Sequence, residues 1–346
     1  LKIISKPVSS KISLVTRVKR LLKNNFPFFF YSATLFRLFK TQKSHQNKLA
    51  DAAYDLIIEF YTLGSDLGTK LKDRLNAKLI LIYDSPVLFQ YREIYQTKTI
   101  YDKRVALAEG KSVKAADVVV CYSKTVKEYV QKNIDAEGNF YVMPCIVWKN
   151  KDRHLAKPQC EIIGFIGSFL PWHKVSLLLE AFEKIASEFA SLQLLMIGYG
   201  EEWNKIHELV KVSKYKDRIT LTGYVSEEEL ELLKSKITVG AMPGSNWYGS
   251  PLKLFEYAEA EIPFIAPSTP SVLDLFSNNE TALFIDSNNE FNSLVEKLRM
   301  LILDKNLAKN LSLKAKKMMQ EEYSEAHQMG NFVKLVQKTI SNGIKE

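Results

Sequence analysis

The 346 residues suit two domains at roughly 150 residues each. The composition, 46% hydrophobic and 25% charged with 14 Gly and 11 Pro, excludes collagen-like, disulfide-scaffold and wholly disordered chains. The net charge of +9 is concentrated: residues 1–50 hold eleven Lys or Arg and no acid, which leaves 37 basic against 39 acidic side chains in the remainder.

That basic segment lies beside the run Phe26-Pro27-Phe28-Phe29-Phe30-Tyr31. Cations interleaved with aromatics suit an anionic membrane surface, and they suit nucleic acid. A solvated basic face whose aromatics enter the core fits the same pattern. The longest apolar stretch, Phe26 to Phe39, carries Arg37 and is shorter than the roughly 18 residues of a membrane span, so no transmembrane helix is expected. Cys121, Cys145 and Cys160 have no metal or disulfide spacing and read as reduced thiols of a cytosolic protein.

From Asp55 onward, short β-branched runs alternate with helical patterns. Strands are expected at 55–60, 78–83, 117–122 and 139–143, with helices over 67–75, 90–116 and 124–133 between them. Residues 146–160, rich in Lys and Arg with one proline, read as a linker. Strand–helix pairs then follow: 162–166 with 176–189, 192–197 with 201–212, 218–222 with 226–236, 238–242 with 251–261, and 264–266 with 272–276. Strand 283–285 leads into a helical region over 290–321, and a final helix spans 324–340. Continuous apolar strands linked by helices imply an α/β protein with parallel sheets: two Rossmann-like domains facing a cleft, over 1–145 and 161–323.

On such sheets, ligands bind beyond the carboxyl ends of the strands. The strand at 162–166 ends in Gly167-Ser168-Phe169-Leu170-Pro171-Trp172-His173-Lys174. Gly167 permits a tight turn, Ser168 offers a hydroxyl, and Lys174 opens a helix whose N–H groups favour an anion. A second loop reads Pro243 to Glu256, PGSNWYGSPLKLFE. Ser250 is positioned to cap a helix starting at Pro251, leaving N–H groups at Leu252 and Lys253 free. Glu256 lies three residues beyond Lys253 on the same face: either a surface ion pair, or a carboxylate that accepts the two hydroxyls of a ribose.

These strings, together with Gly198-Tyr199-Gly200, Thr222-Gly223-Tyr224-Val225 and Ser250-Pro251-Leu252-Lys253-Leu254-Phe255-Glu256-Tyr257, resemble the group 1 glycosyltransferases (family 4, GT-B fold). The likeness covers 160–325 and is looser over 50–145. It implies a retaining transfer of a sugar from a nucleotide diphosphate sugar to a glycan or lipid-linked acceptor, with no cofactor and no bound metal. By that resemblance Lys174 would neutralise the diphosphate together with backbone N–H groups near Gly167 and Leu252, while His173 is either a hydrogen-bond donor at the same site or a packing or capping residue. Glu256 would hold the ribose, and the loop at Tyr224 and Val225 would flank the base. Replacing Lys174 or Glu256 by Ala is expected to lower nucleotide-sugar affinity or turnover about tenfold or more.

The sequence departs from the family in several places. Tyr248 stands where a first glutamate, eight residues before Glu256, contacts the donor sugar, and Glu261 replaces a helix-ending glycine. The first loop lacks its usual arginine. About 50 residues without glycine precede Asp55, so the acceptor-side domain is expected to be truncated or remodelled. A cytoplasmic enzyme docked peripherally on an anionic membrane through residues 1–50 is the leading expectation, with no nucleic acid as partner. A non-catalytic nucleotide-sugar-binding or partner subunit is the alternative, and a nucleic-acid-binding protein is a third. Glu93 and Glu109 read as helix-surface groups, and Asp84-Ser85-Pro86 reads as a turn. His45, His154, His207 and His327 lack ligand spacing.

Overall fold

The computed structural model describes residues 2–3, 32, 54–134, 136–145 and 160–341. Most of the basic segment 1–50 and of the linker 146–160 lies outside the described residues. The chain divides into two compact units, one formed by 9–145 with 329–346 and the other by 1–8 with 146–328. Strand β1 (Lys2–Ile3) belongs to the larger, second unit.

In the first unit, β2 (Leu56–Phe60), β3 (Lys78–Tyr83), β4 (Val118–Cys121) and β5 (Phe140–Val142) form a parallel sheet in that order. β3 and β4 are buried almost throughout, as continuous runs such as VVVC require when both faces are covered. Helices α1 (Leu67–Leu75), α2 (Val87–Tyr95), α3 (Asp102–Ala115) and α4 (Lys124–Ile134) connect the strands.

The helix expected over 90–116 is in fact two. Gln96 takes a left-handed conformation (φ 49°) and ends α2, while the Asp102 carboxylate accepts hydrogen bonds from the Thr99 N–H and hydroxyl and the Arg92 guanidinium. Glu109 is likewise not a surface group. It is buried, and its carboxylate accepts a 2.7 Å hydrogen bond from the Tyr83 hydroxyl.

The second unit carries a seven-stranded parallel sheet, order β1-β8-β7-β6-β9-β10-β11. Its strands are β6 (Ile162–Ile166), β7 (Gln193–Ile197), β8 (Ile219–Leu221), β9 (Val239–Ala241), β10 (Phe264–Pro267) and β11 (Leu283–Ile285), with β1 at one edge. The helices are α5 (Val175–Ala186), α6 (Trp203–Val212), α7 (Glu227–Lys234), α8 (Leu252–Glu259), α9 (Pro270–Leu273), α10 (Glu290–Leu303) and α11 (Lys305–Glu322). The helical region expected over 290–321 breaks at Asp304, whose carboxylate leaves α10 to cap α11 at the Leu307 N–H. α12 (Glu325–Ser341) ends the described chain, and its Phe332, Leu335 and Val336 pack on Ile80, Ile82, Val118 and Val120 of the first unit's sheet.

Strand order reverses at β6: β7 and β8 build outward on one side, and β9, β10 and β11 on the other. The helices divide accordingly. α5, α6 and α10 share one apolar layer, and α7, α8 and α9 share the opposite one. The loops leaving β6 and β9 therefore part to opposite faces, opening a crevice at the carboxyl ends of these strands.

Candidate nucleotide-sugar site

The loop after β6 is shaped by close backbone packing. Gly167 has φ 136°, and its N–H donates to the Ile197 carbonyl at 2.9 Å. Gly198, after β7, has φ 130° and crosses so near that a Cβ on it would lie 2.0 Å from the Gly167 oxygen. A Cβ on Gly200 would lie 2.5 Å from the Phe169 nitrogen. Only glycine permits these approaches, and they hold the ends of β6 and β7 together.

On the other side of the crevice, α8 is fixed by a contact the sequence pattern did not disclose. The Tyr257 hydroxyl donates to the Gly164 carbonyl at 3.0 Å and accepts from the Ile166 N–H at 3.1 Å, beside Gly240, where a Cβ would strike its ring. This clamp sets Lys253, one turn earlier, against Gly167: a Cβ there would meet Lys253 Nζ at 3.1 Å. The ammonium lies 4.5 Å from the centre of the Phe165 ring and makes no hydrogen bond. Lys253 is only 8% exposed, and burial pushes its pKa down to about 7 against the opposing pull of Glu256. The Glu256 carboxyl is pushed above its ordinary range, chiefly by burial, and its Oε2 has no hydrogen-bond partner. The reading of Lys253 and Glu256 as a surface pair is thus overturned.

His173 completes this corner. Its Nδ1 lies 2.5 Å from the Ser168 carbonyl oxygen, which assigns the proton to Nδ1 and leaves Nε2 as an acceptor. Burial, then the nearby Lys253 cation, lower its pKa to about 4, so the ring is neutral at neutral pH. Ser168 itself is exposed.

Among the described residues, ten buried side-chain polar atoms lack a hydrogen bond, and six of them belong to the loops and helix starts after β9 and β10. They are Asn246 Oδ1, Ser250 Oγ, Lys253 Nζ, Glu256 Oε2, Thr269 Oγ1 and Ser271 Oγ. Native proteins leave few such groups unsatisfied, and a concentration of them marks a place built for polar ligand atoms.

Comparisons with known proteins bear on the family and the fold. Residues 147–318 match the family model described as glycosyl transferases group 1. Those residues belong to the group 1 glycosyltransferases. The poly(ribitol-phosphate) alpha-N-acetylglucosaminyltransferase of Staphylococcus aureus is 22% identical over 209 residues, covering 60% of this chain and 41% of that protein. The 2-deoxystreptamine N-acetyl-D-glucosaminyltransferase of Niallia circulans is 21% identical, covering 69% and 64%. The chain thus spans less than two thirds of the length of either relative. Sucrose-phosphate synthase from Thermosynechococcus elongatus superposes with a TM-score of 0.73 at 20% identity, covering 88% of this chain and 78% of that one. Anabaena HepE in complex with UDP gives 0.69 at 12% identity, covering 86% and 82%. These likenesses establish the GT-B fold.

In the glycosyltransferase segment, several site residues stand differently from expectation. Lys174 does not begin α5 as a helical residue. It is the left-handed N-cap (φ 50°), and its ammonium bonds both oxygens of Glu290, at 2.5 and 2.6 Å. Pro251, not Ser250, is the N-cap of α8, and no side chain caps that helix. Ser250 Oγ is buried without a partner, and its carbonyl takes the Leu252 N–H that was expected to be free.

Tyr248 is 2% exposed and packs edge-on against Trp247 at 5.0 Å, so no carboxylate occupies that position. Val225 packs into the core while Tyr224, 68% exposed, lies on the Tyr199 ring at 5.3 Å. Glu261 takes φ 55°, the conformation a helix-ending glycine would adopt. Ser226 forms the capping box of α7 with Glu229, so the acidic run after it does sit at a helix start. Among the described residues, no group of three or more His, Cys, Asp or Glu is arranged to hold a metal ion.

Proposed function

We propose that this chain transfers a sugar from a nucleotide diphosphate sugar, with retention of anomeric configuration and without a metal, to a glycan or lipid-linked acceptor. One observation carries the reading: a buried, unpartnered ammonium on Lys253, set beneath a loop that only glycine can form, one turn from the unpartnered carboxyl of Glu256. A diphosphate would satisfy the first and a ribose the second.

In this scheme the bond between the anomeric carbon and the diphosphate oxygen breaks as the acceptor oxygen bonds to the same face. The acceptor proton passes to the departing diphosphate. Lys253, against the Gly167 loop, stabilises the charge that builds on the leaving group. His173 Nε2 accepts from a donor hydroxyl. Lys174, already neutralised by Glu290, shapes the loop more than it charges the site. Tyr224 and Val225 flank the base.

A second reading is favoured by Tyr248. With an aromatic ring buried where the family carries a carboxylate, the chain would bind nucleotide sugars as a non-catalytic subunit. Calorimetry with UDP and GDP, followed by assays of sugar-nucleotide consumption, separates the two. Binding that weakens about tenfold or more in Glu256→Gln supports the site. Turnover then supports the transferase, and its absence the subunit. Failure of the unaltered protein to bind any nucleoside diphosphate refutes both.

A further inference from the structure

The first unit presents a helix face that neither its core nor the nucleotide site uses. α3 buries Asp102, Val105, Glu109, Ser112 and Val113. With about 100° between successive helical residues, Lys103, Arg104, Leu107, Lys111 and Lys114 fall within an arc of roughly 100° on the opposite side. All five are exposed, Leu107 at 74%.

The only acids of α3, Asp102 and Glu109, point inward. The outward arc is therefore four cations grouped around one aliphatic side chain. Lys98 and Ile100, in the turn that enters the helix, are exposed as well, Ile100 at 77%. Among the described residues, Lys98, Lys103, Lys111 and Lys114 make no ion pair.

We propose that this face of α3 docks on an anionic membrane surface. The lysines would lie among the lipid headgroup charges while Leu107 and Ile100 enter the boundary of the acyl chains, which removes them from water. A nucleic acid fits less well. An aliphatic centre gains nothing from a phosphodiester backbone, and α3 has no aromatic residue on which a base could stack. The α3 face belongs to the first unit, and the candidate nucleotide site is built from residues of the second.

The test uses the full chain, sedimented with vesicles of phosphatidylcholine alone and of phosphatidylcholine with an equal part of phosphatidylglycerol. The unaltered protein is expected to partition onto the anionic vesicles about tenfold or more better. Leu107→Glu, and Lys103→Glu combined with Lys111→Glu, are each expected to lose about tenfold of that binding, with circular dichroism and nucleotide affinity unchanged. Leu107→Ala, which introduces no charge, is expected to lose a smaller part.

Equal partition of the unaltered protein onto both vesicle types overturns the proposal. So does undiminished anionic binding by the folded variants, which places any docking elsewhere. Loss of oligonucleotide binding in the variants with vesicle binding intact overturns it in favour of nucleic acid.

Discussion

Replacing Lys253 by Met removes a charge that the folded protein stabilises poorly. The fall of its pKa from 10.5 to about 7 corresponds to roughly 5 kcal/mol at about 1.4 kcal/mol per pH unit. Because the folded value lies below the unfolded one, the unfolded chain binds more protons between about pH 7 and 10.5, and stability from this group rises with pH across that window. Below about pH 7 both states carry the proton and the full penalty applies. Lys253→Met is therefore expected to be more stable than the unaltered protein at pH 6.5, by several kcal/mol. The gap should shrink by roughly 1.4 kcal/mol per pH unit between pH 7 and 9.

Thermal unfolding of both proteins across that range measures the gap, at about 2–4 °C per kcal/mol for a domain of this size. His173 titrates lower, at about 4, and does not disturb the window. In the same variant, UDP affinity is expected to fall about tenfold or more, because the ammonium that opposes folding is the one a diphosphate would pair with. A stability gap that does not change with pH would refute the reasoning. So would a variant that is less stable at pH 6.5, since the ammonium would then have a partner.

Two further outcomes follow from the backbone. Lys174→Gly is expected to be about 1 kcal/mol more stable than Lys174→Ala in denaturant unfolding, because both lose the Glu290 pair but only glycine relieves the left-handed N-cap; equal stability would remove the strain argument. Gly198→Ala is expected to destabilise by about 2 kcal/mol or more, since its Cβ would lie 2.0 Å from the Gly167 oxygen, whereas Gly330→Ala, with open space around it in α12, is expected to stabilise by about 0.5–1 kcal/mol. Similar effects at both positions, read by thermal unfolding, would contradict the packing described between β6 and β7.

The sequence alone determined the fold class and the strings that form the site. Runs such as DVVVCY and KLILIY leave few alternatives to buried parallel strands, because their apolar side chains must be covered on both faces. The Gly167 loop and the segment from Ser250 to Tyr257 were legible as helix starts beyond strand ends, since glycine and proline carry their backbone preferences locally. What local pattern could not decide was which of the two lysines, Lys174 or Lys253, keeps an ammonium without an acidic partner.

Lys174 stands at the helix start, yet its ammonium is taken by Glu290, 116 residues away. Lys253 resembled half of a surface pair, yet the Tyr257 clamp to β6 buries it under Gly167. The same limit hid the inward turn of Glu109 and the break after Gln96, where the apolar pattern runs on but a contact between Arg92 and Asp102 closes the corner. Charge and burial at these positions depend on residues distant in sequence, and only the packed sheet brings them together.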